Sequence, residues 1–197
     1  MQEFWNERFS RQDYVYGIEP NEFYRNKLND LEKGKILFPC EGEGRNAVYA
    51  AKQGWDVHAF DYSDEGKNKA IKLAKNNDVE IDYQRMGVEE FNSENEFDCI
   101  VVIFAHFTPE IRKEFFPKLA RSLKLGGRVI LECFNKKQLR NSSGGPQNID
   151  MLYDIDMLEN DFQDLEIEFI SKEIVELNEG PFHQGKADVI RMIAKRV

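Results

Sequence analysis

A glycine-containing turn between Pro39 and Ala47 has the composition of a nucleotide-binding loop. It carries the spacing Gly42-x-Gly44-x-x-Ala47, and an acidic residue, Asp61, ends the next apolar segment. Glycines let such a turn approach a ligand closely, and a carboxylate about 20 residues further on accepts hydrogen bonds from ribose hydroxyls. The chemistry indicated is binding of an adenosine-containing ligand. The simpler alternative is an ordinary glycine-rich turn between a strand and a helix.

The charges on this turn favour one kind of adenosine ligand over another. Glu41 and Glu43 are opposed by Arg45 alone. A dinucleotide brings a pyrophosphate, which needs backbone N–H groups and a positive surrounding, and two nearby carboxylates would repel it. S-adenosylmethionine instead brings a sulfonium and an ammonium with one carboxylate. The acidic turn therefore favours S-adenosylmethionine over NAD as the cofactor, unless the two glutamates are merely solvated.

Two further side chains are candidates for acting on a substrate. His106 follows the most apolar segment of the chain, at the place where open α/β sheets bind their ligands. A neutral imidazole there would serve as general base for a hydroxyl acceptor, whereas a thiolate needs no base. Arg112, one helical turn further on, would neutralise an anionic acceptor, although a solvated helix charge is the simpler interpretation.

Apolar runs and amphipathic stretches alternate along the chain and must position these residues. The predicted strands are 36–39, 57–60, 81–85, 97–104 and 128–134, and the predicted helices are 45–52, 64–76 and 109–123. Thr108 is expected to cap the last of these helices, and Gly126-Gly127 to follow its end. Strands that are apolar on both faces and alternate with helices indicate a parallel sheet covered on both sides.

The pattern changes after residue 134. A polar loop, 135–147, is followed by a predicted helix at 151–162 and by two β-rich runs, 165–177 and 187–197, joined by a turn. Neighbouring strands joined by a turn are antiparallel. The predicted fold is therefore α/β: a Rossmann-like, doubly wound, mostly parallel seven-stranded sheet with a C-terminal antiparallel hairpin.

Size and charge exclude several classes of protein. The chain has 197 residues, 41% of them hydrophobic, which predicts a single domain over residues 1–197. A net charge of −9 without a basic block argues against nucleic acid as a partner. No apolar run predicts a membrane span or a secretory signal, so we expect a cytoplasmic protein, a monomer or weak homodimer. The three cysteines have neither metal-ligand nor disulfide spacing, and we expect no metal.

The segment from Ile36 to Ala47, Ile-Leu-Phe-Pro-Cys-Glu-Gly-Glu-Gly-Arg-Asn-Ala, resembles motif I of class I methyltransferases. Its Glu-Gly-Arg-Asn-Ala portion is typical of the branch that contains tellurite-resistance and thiopurine methyltransferases. Segments 4–9, 16–21, 125–127 and 179–185 extend the resemblance over nearly the whole chain. The resemblance implies methyl transfer from S-adenosylmethionine to a small soft or anionic acceptor, with S, Se, Te or O as the nucleophile.

The resemblance also implies that three segments of the chain have different roles. Residues 1–30 form an aromatic lid, residues 31–135 the cofactor-binding core, and residues 136–197 the substrate-side loop, helix and hairpin. Seven aromatic residues fall within the first 24 positions, where the overall 12% predicts about three. A hydrophobic helix packed on the domain explains them equally well. The resemblance places His183, in the predicted hairpin turn, near the same opening of the site as His106.

The turn and the resemblance together assign cofactor contacts to the lid, to the turn itself, and to the residues that follow the second, third and fourth strands. These residues are Trp5, Phe9, Tyr14, Cys40, Glu41, Gly42, Gly44, Asn46, Asp61, Tyr62, Ser63, Gly87, Val88, Phe104 and Ala105.

Three positions depart from the family pattern. Family members usually have Asp where Phe38 stands, Gly where Cys40 stands, and an Asp near Gly87 for the adenine amino group. These departures keep a non-catalytic S-adenosylmethionine-binding protein as the second hypothesis. An NAD-dependent oxidoreductase is the third, disfavoured by the acidic turn and by the lack of a separate substrate domain.

Overall fold

The computed structural model describes residues 2–197 and arranges them around one seven-stranded sheet. The strands are β1 (Lys35–Pro39), β2 (Asp56–Asp61), β3 (Asp82–Arg85), β4 (Phe97–Ile103), β5 (Leu123–Phe134), β6 (Glu166–Asn178) and β7 (Gln184–Lys195). The helices are α1 (Gln2–Phe9), α2 (Glu22–Leu28), α3 (Arg45–Lys52), α4 (Asp64–Asn76), α5 (Pro109–Ser122) and α6 (Ile155–Asp161). Within the described range, none of these helices has the length and apolar character needed to cross a membrane.

The strand order is β3-β2-β1-β4-β5-β7-β6. Strands β1 to β5 pair in parallel, and β7 runs antiparallel to both β5 and β6. The predicted fold class, including the C-terminal antiparallel hairpin, is confirmed. The chain passes from β1 to β2 toward one edge of the sheet and from β4 to β5 toward the other edge. A crevice opens at the carboxyl ends of the strands where the strand order reverses in this way.

Strand β4 has an apolar sequence throughout because both of its faces are covered. Cys99 and Val101 pack into the core on the side of α3, whereas Ile100 and Val102 pack into the core on the side of α5. All four side chains are buried. Because successive residues of a strand point to opposite faces, a sheet covered on both sides needs a continuous apolar run.

Two predicted boundaries were wrong. Strand β5 begins at Leu123, directly after α5, and continues through Gly126-Gly127 with a register shift against β4. Glycines inside a strand mark such a bulge, with φ 82° at Gly126. The helix predicted at 151–162 covers only 155–161, because Asp154 is the N-cap and Tyr153 forms a bridge with Asn135.

Candidate active site

A cavity of about 620 Å³ lies at the carboxyl ends of the parallel strands. Its walls come from the turn after β1, the tips of β2 and β4, the loops after β3 and β5, helix α1, and the tip of the β6–β7 hairpin. Sites for small molecules and cofactors usually have this size. The cavity occupies the crevice that the strand order predicts.

The turn after β1 reverses the chain through three residues with left-handed backbone conformations: Cys40 (φ 54°), Gly42 (φ 62°) and Gly44 (φ 89°). Glycine accepts this conformation, whereas a residue with a Cβ is strained by about 1–2 kcal/mol. Cys40 lines the cavity, and burial raises the pKa of its thiol. Gly44 faces α4 instead, where a Cβ would lie 2.6 Å from the Cβ of Ala70.

Glu41 uses one carboxylate oxygen to cap helix α3. Its Oε1 accepts hydrogen bonds from the backbone N–H groups of Asn46 (2.9 Å) and Ala47 (2.8 Å). These are donors that the first turn of a helix leaves without partners. Glu41 also lines the cavity, and burial raises its pKa to about 7. A pyrophosphate would need the same N–H groups, so the arrangement disfavours NAD.

Glu43 is tied to the protein rather than directed at a ligand. Its Oε2 accepts a hydrogen bond from the N–H of Val15 at 2.7 Å, and its Oε1 pairs with Nζ of Lys69 at 2.6 Å. The charge of Glu43 is therefore neutralised internally. The expectation that both glutamates attract a cationic ligand was wrong for Glu43, which joins the N-terminal segment to the turn.

Asp61 ends β2 and places a buried carboxylate in the cavity wall. Its Oδ1 accepts a hydrogen bond from the N–H of Ser63 (2.8 Å) and its Oδ2 one from the N–H of Gly42 (3.2 Å). Burial raises its pKa to about 6 despite these bonds. Because a carboxylate accepts about four hydrogen bonds, capacity remains for two hydroxyl groups of a ribose.

Helix α1 lays aromatic rings along the cavity. Trp5 and Phe9 both line it and stack with their ring centroids 5.3 Å apart. The ring of Phe9 packs on the turn, so that a Cβ at Gly42 would lie 3.0 Å from its Cζ. The side chains of Asn6 and Ser63 join α1 to the start of α4 with a hydrogen bond of 2.7 Å.

Other predicted cofactor contacts also lie in the cavity wall. They are Asn46, Tyr62, Gly87, Val88, Phe104 and Ala105. Phe104 adopts a left-handed conformation (φ 51°) and stacks on Phe134 at 4.5 Å. Strain of this kind concentrates at functional sites.

Three predicted contacts, Tyr14, Gly44 and Ser63, lie outside the cavity wall. Tyr14 donates its hydroxyl to the carbonyl of Lys69 (3.2 Å) and packs beside α4. Ser63 is buried and caps α4 by accepting a hydrogen bond from the N–H of Gly66. Tyr14 and Ser63 use their side chains to contact α4, and the backbone of Gly44 lies against Ala70 of the same helix. The order of residues along the chain does not reveal these contacts.

Arg112, predicted to neutralise an acceptor, does not reach the cavity. It is 5% exposed, and its Nε lies 2.5 Å from Oδ2 of Asp161 on α6. Its guanidinium also lies 5.4 Å from the ring centroid of Tyr153. The prediction for Arg112 is wrong, because a buried ion pair between α5 and α6 occupies the side chain.

His106 lines the cavity, but both ring nitrogens are occupied. Nδ1 lies 2.7 Å from the carbonyl oxygen of Met151, and Nε2 accepts a hydrogen bond from the N–H of Phe134 at 3.2 Å. Burial lowers its pKa to about 4, so the ring is neutral. The expected role of general base is corrected by this geometry, since no lone pair is free to receive a proton.

His183 lies in the cavity wall at the hairpin tip. Its Nδ1 donates to Oε2 of Glu179 (3.3 Å), which also accepts a hydrogen bond from Arg45 (2.9 Å). Burial alone would raise the pKa of Glu179, but these two partners lower it to about 2. Burial lowers the pKa of His183, so the imidazole is neutral and carries its lone pair on Nε2.

Sequence reasoning missed Arg8 as a cavity residue. Its guanidinium donates to the hydroxyl of Tyr16 (3.0 Å) and lies 4.4 Å from the ring centroid of Phe4. The same guanidinium lies 4.9 Å from the ring centroid of Phe182. The missed signal was the helical spacing of Arg8 with Phe4 and Trp5, which places all three on one side of α1.

The cavity fits S-adenosylmethionine as the cofactor. A strand-tip carboxylate, a left-handed turn and aromatic walls are present, and the volume suffices for a nucleoside with an amino-acid tail. Cys40 and Phe9 narrow the space beside the turn without closing it.

Residues 36–127 match the family model of a methyltransferase domain, over slightly less than half of the chain. The match agrees with the expected methyltransferase activity and lies within the predicted domain of residues 1–197. A ubiquinone biosynthesis O-methyltransferase of Rickettsia conorii is 30% identical over 108 residues, which are 55% of this chain and 37% of that relative. The matched part of the chain spans less than half the length of the first curated relatives.

Solved structures share the fold. TehB from Haemophilus influenzae superposes with a TM-score of 0.74 at 15% identity, covering 100% of this chain and 67% of that one. The N-methyltransferase NodS from Bradyrhizobium japonicum, in complex with S-adenosyl-L-homocysteine, gives a TM-score of 0.71 at 11% identity and covers 99% and 97%. At sequence identities this low, the superpositions establish only that the fold is shared.

Proposed function

We propose that this chain is a class I methyltransferase that uses S-adenosylmethionine to methylate a small-molecule acceptor. The observation that carries the proposal is Asp61 at the tip of β2, facing the same cavity as the left-handed turn after β1. A carboxylate in this position binds ribose hydroxyls. The match of residues 36–127 to a methyltransferase domain supports the same activity.

Residues 31–135 hold the cofactor in this proposal. Asp61 accepts the ribose hydroxyls, and Tyr62, Gly87 and Val88 form the wall beside it. When bound, the cofactor supplies an electrophilic methyl group on a sulfonium. Trp5 of the lid, residues 1–30, excludes water and offers an aromatic face to positive charge.

The acceptor is bound by the lid and by residues 136–197. Arg8 contacts the Tyr16 hydroxyl and aromatic rings rather than a carboxylate of the described residues, so its charge is available to an anionic acceptor. His183 offers Nε2 as a general base for a hydroxyl acceptor. A thiolate, selenolate or tellurium anion needs no base. These features support a soft or anionic S, Se, Te or O nucleophile.

The proposal places the chain in the tellurite-resistance and thiopurine methyltransferase branch. Its support is the Glu-Gly-Arg-Asn-Ala motif at positions 43–47 and the fold shared with TehB. The second candidate is a protein that binds S-adenosylmethionine without catalysis. Strained Cys40 beside the methionine part of the site favours that alternative.

Calorimetry tests the cofactor assignment. We expect S-adenosylmethionine and S-adenosylhomocysteine to bind and NAD not to bind, and binding of NAD alone would overturn the proposal. Asp61→Asn retains an acceptor for the N–H of Gly42 but should weaken binding about 10- to 100-fold, since hydrogen bonds to a charged group are lost. Asp64→Asn, at an exposed carboxylate on α4, is the control.

An acceptor screen separates the enzyme from the binding protein. Release of S-adenosylhomocysteine is followed with thiolate, selenolate, tellurite and phenol acceptors. His183→Gln should slow phenol methylation more than thiolate methylation while leaving cofactor affinity unchanged. Cofactor binding without product release from any acceptor would favour the non-catalytic alternative.

A further inference from the structure

The carboxylate of Glu179 joins His183 to two other segments of the chain. Its Oε2 accepts hydrogen bonds from Nδ1 of His183 (3.3 Å) and from the guanidinium of Arg45 (2.9 Å). Its Oε1 accepts one from the side-chain amide of Asn21 (3.1 Å). The side chain is 14% exposed. Donors from the N-terminal segment, the start of α3 and the hairpin therefore hold this carboxylate in one place.

Glu179 stays ionised in this setting. Burial alone would raise its pKa, but the hydrogen bond from His183 and the charge of Arg45 lower it to about 2. An ionised carboxylate accepts hydrogen bonds and donates none, so the neutral imidazole must carry its proton on Nδ1. The lone pair of the ring is then on Nε2.

The surroundings of Nε2 leave it available to a ligand. His183 lines the cavity, and Nε2 makes no hydrogen bond within residues 2–197. A Cβ at Gly144 would lie 3.1 Å from Nε2, so the absence of that carbon leaves space beside the nitrogen. The rings of Tyr16 and Phe104, with centroids 4.5 Å and 4.8 Å from that of the imidazole, keep the ring in its orientation.

Arg45 connects Glu179 to the turn after β1. It is the first residue of α3, and its guanidinium also donates to the carbonyl of Tyr16 (3.1 Å). The turn lines the cavity. The imidazole is therefore positioned relative to the turn that holds the cofactor in the proposed function.

We propose that Glu179 is the positioning residue of His183: it keeps the lone pair on Nε2 and stabilises the imidazolium that forms when a hydroxyl acceptor is methylated. This inference rests on the proposed function. As the acceptor oxygen forms its bond to the methyl carbon, the hydroxyl proton passes to Nε2, and the electron pair of the broken C–S bond remains on sulfur. The positive charge that arises on the ring lies beside the carboxylate.

Nitrogen NMR of the imidazole rings tests the proposal without an acceptor. The chain has three histidines, and the signals that disappear in His183→Gln are those of His183. The wild-type ring should be protonated on Nδ1. Glu179→Gln should lower the pKa of His183, because the carboxylate raises it, and Arg45→Gln should raise this pKa, because the guanidinium lowers it. A merely structural role would loosen the hairpin and relieve the burial that lowers this pKa, so both variants would raise it.

The other groups near the ring keep one charge state during this titration. The charged or titratable groups that face it are Glu179, Arg45, Arg8, His106 and Tyr16. Burial lowers the pKa of His106 to about 4 and raises that of Tyr16, so both are neutral near neutral pH. The arginines stay charged.

Kinetics with phenol and thiophenol supply a second measurement, since thiophenol is ionised near neutral pH and needs no base. Glu179→Gln should lower kcat/KM for phenol about 10- to 100-fold and that for thiophenol less than about 3-fold. Glu176→Gln, at an exposed carboxylate of the same hairpin, is the control and should change neither.

A raised or unchanged pKa of His183 in Glu179→Gln would overturn the inference, and so would equal slowing of the two acceptors. If Glu179→Gln does not fold, a wild-type ring protonated on Nε2, or a lowered pKa in Arg45→Gln, would overturn it. If the wild type methylates no acceptor and does not bind S-adenosylmethionine, the proposed function fails, whereas the NMR comparison still decides whether Glu179 holds the ring.

Discussion

Cys40 holds a backbone conformation that its own side chain disfavours, in the wall of the cavity. Glycine at this position would remove the steric conflict and widen the space beside the turn. We expect Cys40→Gly to raise the free energy of unfolding by about 1 kcal/mol. Its affinity for S-adenosylhomocysteine should also increase. Denaturant unfolding and calorimetry measure the two effects.

Cys40→Ala separates the Cβ from the thiol, since alanine keeps the strained Cβ. We expect this variant to stay close to the wild type in both measurements. If alanine stabilises the protein as much as glycine does, the backbone conformation is not the source of the strain.

Glu41 makes stability depend on pH. Its pKa is about 7 in the folded protein and has its ordinary value of 4.5 in the unfolded chain. The folded state therefore binds the proton more tightly, and the contribution of Glu41 to stability is greatest below pH 4.5 and declines as the pH rises to about 7. Relative to wild type, Glu41→Gln should be more stable at pH 8 than at pH 4.5, by about 1–3 kcal/mol.

Denaturant unfolding across this pH range measures the difference. The groups that face Glu41 are Arg45 and the hydroxyls of Tyr24 and Tyr83, and burial keeps both tyrosines neutral over this range. Asp61→Asn should show the same sign in a lower window, from pH 3.8 to about 6. A difference between Glu41→Gln and wild type that is independent of pH would contradict the prediction.

At the scale of elements, helix α1 closes the cavity with its aromatic side. Trp5 lines the cavity and is supported by stacking on Phe9. An aromatic face attracts a sulfonium but has little preference for the neutral thioether of the product. Trp5→Leu should therefore weaken S-adenosylmethionine about 2- to 30-fold more than S-adenosylhomocysteine, the range of a cation–π contact.

Calorimetry with both ligands checks this expectation, and the product serves as the internal control for lost apolar contact. Equal weakening of the two ligands would show that Trp5 contributes packing and exclusion of water alone. Trp55→Leu, in the core beside α3, should change neither the ratio nor the order of the two affinities.

Element packing also explains the role of His106. Its ring joins the tip of β4 to the end of β5 through Phe134 and to the loop at Met151. Phe134 and Met151 line the same cavity as His106. His106 therefore positions the wall of the site.

At the scale of the whole molecule, the N-terminal segment is held between the turn and the hairpin tip. Glu43 accepts a hydrogen bond from Val15, and the backbone of Gly17 crosses that of Gly180 so closely that a Cβ on Gly180 would lie 2.4 Å from N of Gly17. Gly180→Ala should therefore destabilise the protein by about 2–4 kcal/mol, from left-handed strain and overpacking together.

Gly185→Ala is the matched control on the same hairpin. Gly185 also has a left-handed conformation (φ 96°), but the nearest atom to an added Cβ is 4.0 Å away. This variant should lose only about 1–2 kcal/mol. Denaturant unfolding compares the two variants. Equal losses of stability would mean that the backbone at Gly17 moves away from the added methyl group without an energetic penalty.

The sequence by itself determined the sheet, the helices that cover it and the turn that lines the cavity. These follow from local patterns: the apolar run of β4, the spacing of Gly42 and Gly44, and Asp61 at the end of the next strand. Such patterns reside in neighbouring residues, so they can be recognised without knowing what packs against them. For the same reason the bulge at Gly126 and the late start of α6 were missed, since both depend on pairing with distant strands.

Only the tertiary structure decided what each polar side chain of the site does. Glu41 and Glu43 are two residues apart and both line the cavity, yet Glu41 caps helix α3 whereas Glu43 is bound to Lys69 and Val15. Arg112 likewise forms an ion pair with Asp161 and does not reach the cavity. Each outcome depends on a partner far away in the chain. Because a hydrogen bond or ion pair forms only where folding brings its two members within about 3 Å, residue type and spacing left these roles open.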